Sequence, residues 1–134
     1  MRGRDSELGI RDSKLRPHER LDVWQDAMHL VEAIYQFPEQ FPSSERFGLT
    51  AQIRRAAVSI PSNMAEGAAR YSTQEHMRFL SIARGSLSEL DTQVQIAERL
   101  NFAPHSQDMT ALIDRVFAKL NALLRSLRHQ EASQ

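Results

Sequence analysis

Gly48-Leu49-Thr50-Ala51-Gln52-Ile53-Arg54-Arg55-Ala56-Ala57-Val58-Ser59-Ile60-Pro61-Ser62-Asn63-Met64-Ala65-Glu66-Gly67 is an apolar helical pattern carrying one narrow polar stripe. Gln52, Arg55, Ser59, Ser62, Asn63 and Glu66 recur at three- and four-residue intervals and so fall on one side of a helix. Leu49, Ile53, Ala56, Ala57, Ile60 and Met64 fall on the neighbouring side. The third side, Ala51, Arg54, Val58, Pro61, Ala65 and Ala69, holds a single charge. A helix apolar over so much of its circumference should be covered on more than one flank, which hints at self-association in addition to a core.

The same periodicity extends in both directions. From residue 22 to about 37, Trp24, Ala27, Met28, Val31, Ile34 and Tyr35 repeat at helical spacing, with Asp22 as the expected N-cap. Pro38 and Pro42 enforce a break. The second helix is expected from about residue 44 to 70, capped by Ser43 or Ser44 and kinked near Pro61, where proline removes a backbone hydrogen bond. Ser72 and Glu75 have the spacing of a capping box, and Leu80, Ala83, Leu87, Leu90, Val94 and Ala97 form a heptad seam in a third helix reaching about residue 101. Past Pro104, Ser106 caps a fourth helix with Met109, Ile113, Val116, Leu120, Leu123 and Leu127 along its seam, widened by Leu112 and Leu124. Gly85 inside the third helix needs a reason, and close packing is the expected one. No segment alternates like a half-buried strand. The fold class is therefore all-α, an antiparallel up-down-up-down four-helix bundle, with crossing angles expected near about 20°. Residues 1–20 read as a flexible charged arm, 21–129 as the bundle and 130–134 as a tail.

A chain of 134 residues supports one domain with a real core. Its charged fraction of 25% and apolar fraction of 41% are those of a globular protein, and no run approaches the roughly 20 apolar residues of a membrane span. With no cysteine there are neither disulfides nor thiolate ligands. The charged start, Met1-Arg2-Gly3-Arg4-Asp5, lacks the apolar core of a secretory signal, so a cytoplasmic location is expected. The net charge of zero divides into +2 on residues 1–20 and −2 on the rest, which offers little overall field to a polyanion.

Leu21-Asp22-Val23-Trp24-Gln25, Phe47-Gly48-Leu49-Thr50, the block from Gln52 to Asn63, Ala65-Glu66-Gly67 and Gly85-Ser86-Leu87-Ser88-Glu89-Leu90 together resemble one family. It is the bacterial four-helix-bundle family of the 23S ribosomal RNA intervening-sequence protein, related to the accessory variability protein of diversity-generating retroelements. The resemblance spans about residues 20–125. It implies a small cytosolic homopentamer and leaves the molecular role open. The retroelement relatives are strongly basic and this domain is not, so their mode of binding nucleic acid does not simply transfer.

Gln52, Arg55, Ser59, Asn63, Glu66, Ser88 and Glu89 match family motif positions. They read either as a structural polar network, with Arg55 paired to Glu66, Glu89 or a partner subunit if buried, or as a binding site for RNA phosphate or a partner's carboxylate. Arg54, Arg70, Arg78 and Arg84, or Arg115, Lys119, Arg125 and Arg128, are the candidate nucleic-acid contacts. No metal or cofactor is expected. A lone Asp26-x-x-His29 falls short of a di-iron pair, the five histidines have no metal spacing, and Gly67 and Gly85 belong to no phosphate loop. Glu66 and Glu89 as an acid-base pair would need a pocket and shifted pKa values that sequence does not reveal, so no enzyme is expected. The aromatic residues read as packing rather than base-stacking platforms. The expectation is a non-enzymatic homo-oligomeric scaffold presenting a surface or pore to RNA or a protein partner. The alternative is a nucleic-acid-binding accessory protein acting through arginines of the arm and ring surface.

Overall fold

Three seams of apolar residues at three- and four-residue spacing, with a fourth on the first helix, bring four helices together around one core. The computed structural model describes residues 15–133. Its α-helices are α1 (Asp22–Gln36), α2 (Leu49–Ala68), α3 (Thr73–Arg99) and α4 (Gln107–Ala132). Each packs on its sequence neighbour, and α1 closes against α4, so the order around the bundle is α1, α2, α3, α4. The α1 and α3 N-termini share one end with the α2 and α4 C-termini. Among the described residues no helix is long and apolar enough to cross a membrane.

Leu80, Ala83, Leu87, Leu90, Val94 and Ala97 are all buried, as are Met109, Ile113, Val116, Leu120 and Leu124. Full burial of a leucine such as Leu87 is worth roughly 1.5–3 kcal/mol, so these two seams carry much of the stability. On α4 the seam passes to Leu124, leaving Leu123 and Leu127 half-buried. The face of α1 is rotated from the sequence expectation. Val23, Asp26, Ala27, Leu30 and Ile34 point inward, while Trp24 and Val31 are half-buried and Met28 and Tyr35 exposed. The apolar stripe of α1 is wider than the core needs, and its outer half is left facing α2 and solvent.

Helix ends show which local chemistry prevails. Ser72 Oγ accepts from the Glu75 N–H and Ser106 Oγ from the Met109 N–H, each at 3.1 Å. The Glu75 carboxylate, however, turns to Arg78 at 3.1 Å. Asp22 is the first residue of α1 rather than its cap, and its carboxylate serves Lys119. The start of α2 also differs. Ser43–Glu45 is a 3-10 turn, and Glu45 Oε1 reaches over Gly48 to accept the Leu49 N–H at 3.1 Å. A Cβ on Gly48 would lie 2.9 Å from that oxygen, so the glycine leaves room for the carboxylate. At the end of α3, Asn101 adopts a left-handed φ of 61°, and the Phe102 N–H returns to Ala97 O at 2.8 Å, a Schellman-type stop. Helix α2 runs without a break across Pro61.

Residues 17–20, assigned above to the arm, form a 3-10 turn against α1 and α2, with the His18 ring edge-on to Trp24 at 4.9 Å. Residues 1–14, the rest of the proposed arm, and Gln134 lie outside the described residues. Helix α4 continues through 130–132, which the sequence reading gave to the tail. At the opposite end of the bundle, Phe37, Phe41 and Phe102 pack on Ala97 and Ala103, with ring centroids 5.4 and 5.6 Å apart.

Candidate functional site

Two flanks of α2 carry the residues of interest. On the α3 flank, small side chains let the helices approach. A Cβ on Gly67 would lie 2.8 Å from Phe79 Cβ and 3.1 Å from the His76 carbonyl oxygen, so only glycine fits there. About two turns along, Ser59 Oγ and Ser86 Oγ share a 2.8 Å hydrogen bond across the two helices. Asn63 Nδ2 donates to Ser59 O at 2.8 Å and to Ser59 Oγ at 3.0 Å, and Ser62 Oγ donates to Val58 O at 2.7 Å. The two bonds to carbonyls run from residue i to residue i−4 in the turns around Pro61, next to the Ala57 carbonyl that proline leaves without its ladder donor.

The rest of the polar stripe is on the surface. Gln52, Arg55, Glu66, Ser88 and Glu89 are exposed. Glu66 pairs with Arg70 at 2.8 Å, not with Arg55. Arg55 and Glu89 have no ion-pair or hydrogen-bond partner among the described residues. The network expected within the protomer is thus confined to Ser59, Asn63 and Ser86, and Arg55 stands free at the outer corner of α2. Gly85, expected as a close-packing contact, has no atom of the described residues beyond its own stretch of helix within 4 Å of where a Cβ would stand.

The α1 flank of α2 is apolar and open. Trp24, Met28 and Val31 face Val58, Pro61, Ser62 and Ala65 across a groove of about 320 Å³. Met28 is 39% and Val58 40% exposed, large values for apolar side chains in mid-helix. The rotated α1 face and the third side of α2 therefore meet in one surface feature.

The candidate nucleic-acid contacts do not assemble into one patch. Arg54 Nη2 donates to Tyr35 O at 2.7 Å, its guanidinium lying 5.0 Å from the Tyr35 ring, and so serves the C-terminal carbonyls of α1. Arg70 and Arg78 each lie over the Phe79 ring, at 4.7 and 4.6 Å, while pairing with Glu66 and Glu75. That pairing holds the Glu75 carboxyl below its usual range and raises Arg78. Arg84 Nη1 donates to Asn121 Oδ1 at 3.0 Å. Arg125 and Arg128 are exposed, with no acidic partner among the described residues.

Arg115 and Lys119 belong to a charge cluster that the sequence reading missed. Asp26 is buried between α1 and α4, with Lys119 Nζ 2.6 Å and Arg115 Nε 3.5 Å from its Oδ2. Lys119 also meets Asp22, and these two carboxylates raise its pKa. The signal available in sequence was the i, i+4 spacing of the two acids on α1 and of the two bases on α4. His76, beside Gly67, is another such residue: its Nε2 is buried without a partner, and desolvation lowers its pKa. Among the described residues no group of three or more His, Asp or Glu side chains is placed to hold a metal ion.

These features define an antiparallel four-helix bundle whose second helix is closely packed on one flank and apolar but uncovered on the other. The sequence model of the 23S rRNA-intervening sequence protein family matches residues 19–122, and the chain belongs to that family. No curated protein matches the chain.

Proposed function

We propose that the protein is a non-enzymatic homo-oligomeric scaffold, a ring of bundles, pentameric on the family resemblance, that presents a surface or pore to RNA or to a protein partner. The observation that carries this reading is the α1–α2 groove. Trp24, Met28, Val31, Val58, Pro61 and Ala65 line it, with Met28 and Val58 exposed, Trp24, Val31 and Ala65 half-buried and Pro61 buried. Apolar area of this kind left to water is unfavourable by about 25 cal/mol per Å², a deficit that a second subunit removes. Light scattering at micromolar concentration tests it: a stable multimer is expected, and a monomer overturns it.

The nucleic-acid reading is favoured by one observation. Arg125 and Arg128 project from the end of the bundle at which residues 15–20 enter, without carboxylate partners among the described residues. Scattering with structured RNA at low and moderate salt separates the two. Salt-dependent gain of RNA mass supports an RNA-binding accessory protein, whereas a multimer that ignores RNA leaves a scaffold for a protein partner.

A further inference from the structure

The protomer has an open apolar groove between α1 and α2 and, on α3, an outward face with two exposed isoleucines, and the two are unlike. We infer that they meet each other: the outer face of α3 in one copy seats in the α1–α2 groove of the next, head to tail around a closed ring. This rests on the oligomeric reading and specifies its interface.

The α3 face is formed by Ile82, Glu89 and Ile96, seven residues apart, with Gly85 between them on the same side. Ile82 is 42% and Ile96 41% exposed. Gly85 sits in the interior of a 27-residue helix, and among the described residues nothing beyond its own stretch of helix lies near it. A mid-helix glycine weakens the helix, and within the protomer this one makes no compensating contact. It leaves the helix backbone bare, which suits an approaching subunit.

Register and charge select the occupant. The Ser59–Ser86 bond and the Gly67–Phe79 contact fix the levels of the antiparallel pair α2 and α3. By that register Gly85 stands level with Ile60 and Pro61, Ile82 with Asn63 and Met64, and Glu89 with Ala56, next to Arg55. Rotation about an axis parallel to the bundle keeps those levels. It therefore brings Gly85 of one copy opposite Pro61 of the next, Ile82 within a turn of Ala65, and Glu89 level with Arg55. Both charges lack partners among the described residues, so the contact is complementary. A two-fold arrangement instead pairs each face with its own copy, which does not bring the α3 face into the groove. The two faces are different surfaces of the bundle, so the contact between them is heterologous and forms a ring when the rotation closes.

The cysteine-free chain permits a direct test. Ala65→Cys lies in the groove, on the flank of α2 away from its own α3, and Ile82→Cys lies on the α3 face. Under mild oxidation the double variant is expected to give a ladder of covalent multimers up to the ring. An equimolar mixture of the two single variants should give covalent dimers only, and each single variant alone should give none. Gly85→Arg is expected to yield a smaller species by light scattering with unchanged helical circular dichroism. Self-crosslinking of Ile82→Cys alone, or an intact multimer without a ladder, overturns the interface and leaves the oligomeric reading standing. A monomeric unmodified protein overturns both.

Discussion

The two flanks of α2 solve opposite problems. Towards α3 the helix offers Ser59, Asn63 and Gly67, small or polar, and there the backbones come so close that a Cβ on Gly67 would meet Phe79 at 2.8 Å. Towards α1 it offers Val58, Pro61 and Ala65, apolar, and there a groove stays open. Hydrophobicity therefore does not mark the tight contact in this bundle. Small size and a few satisfied hydrogen bonds do, while the apolar residues without a close neighbour line an open surface.

Gly67→Ala is the strongest way to break that contrast. At an open helix position this change is favourable by about 1 kcal/mol. Here the added methyl meets the Phe79 side chain and the His76 backbone, so the sign reverses, and we expect a loss of about 1–3 kcal/mol from overpacking. Urea unfolding of the two proteins checks it; an unchanged or raised midpoint would show that α2 and α3 can separate freely.

Ser59→Ala probes the same flank more gently. It removes one partner of the 2.8 Å bond to Ser86 and one acceptor of Asn63, and an expected loss of roughly 0.5–1.5 kcal/mol follows. If Ser59→Ala, Ser86→Ala and the double variant lose stability additively, the bond contributes no coupling and the closeness of the helices is steric alone.

On the open flank the expected pattern is different. Val58→Asp changes a side chain already 40% exposed, and its effect on the stability of the isolated bundle should stay within about 0.5 kcal/mol. Its effect on assembly should be large, seen as a fall in scattering mass, with Ala65→Asp behaving alike. A variant that unfolds while its multimer persists would reverse the roles of the two flanks.

The α3 and α4 seams were legible because their residues repeat at fixed spacing and the pattern needs no knowledge of the partner. The face of α1 was misplaced because apolar residues occupy both its core side and its groove side, and because Asp26 is buried only by virtue of Lys119, distant in sequence. The start of α2 was misplaced because Glu45, reaching over Gly48, caps where a serine was expected. The recurrence of Gln52, Arg55, Ser59, Asn63 and Glu66 was visible, but periodicity fixes a side, not its cover. The crossing with α3 takes in Ser59 and Asn63 and leaves Arg55 out. Arg54 shows the same limit: its guanidinium is fixed by the Tyr35 carbonyl, a partner that only the α1–α2 packing supplies.

The smallest expected effect concerns pH and again separates the flanks. His76 lies in the α3 contact, where burial of its imidazole lowers the pKa and Nε2 has no partner to hold a proton's charge. The unfolded chain takes up that proton near the ordinary imidazole value of 6.5, the folded chain only at lower pH. Between those two values the unfolded state binds more protons, so stability rises with pH across this window and levels off above it. We therefore expect the melting temperature to fall modestly on going from pH 7.5 to 5.5, and His76→Gln to flatten part of that slope. The groove flank carries no such group: Trp24, Met28, Val31, Val58, Pro61, Ser62 and Ala65 do not titrate in this range. Val58→Asp should accordingly leave the slope through this window unchanged even as it alters the mass. Equal slopes for His76→Gln and the unmodified protein would mean that the imidazole is hydrated and that the α2–α3 contact is looser beside Gly67 than its 2.8 Å approach implies.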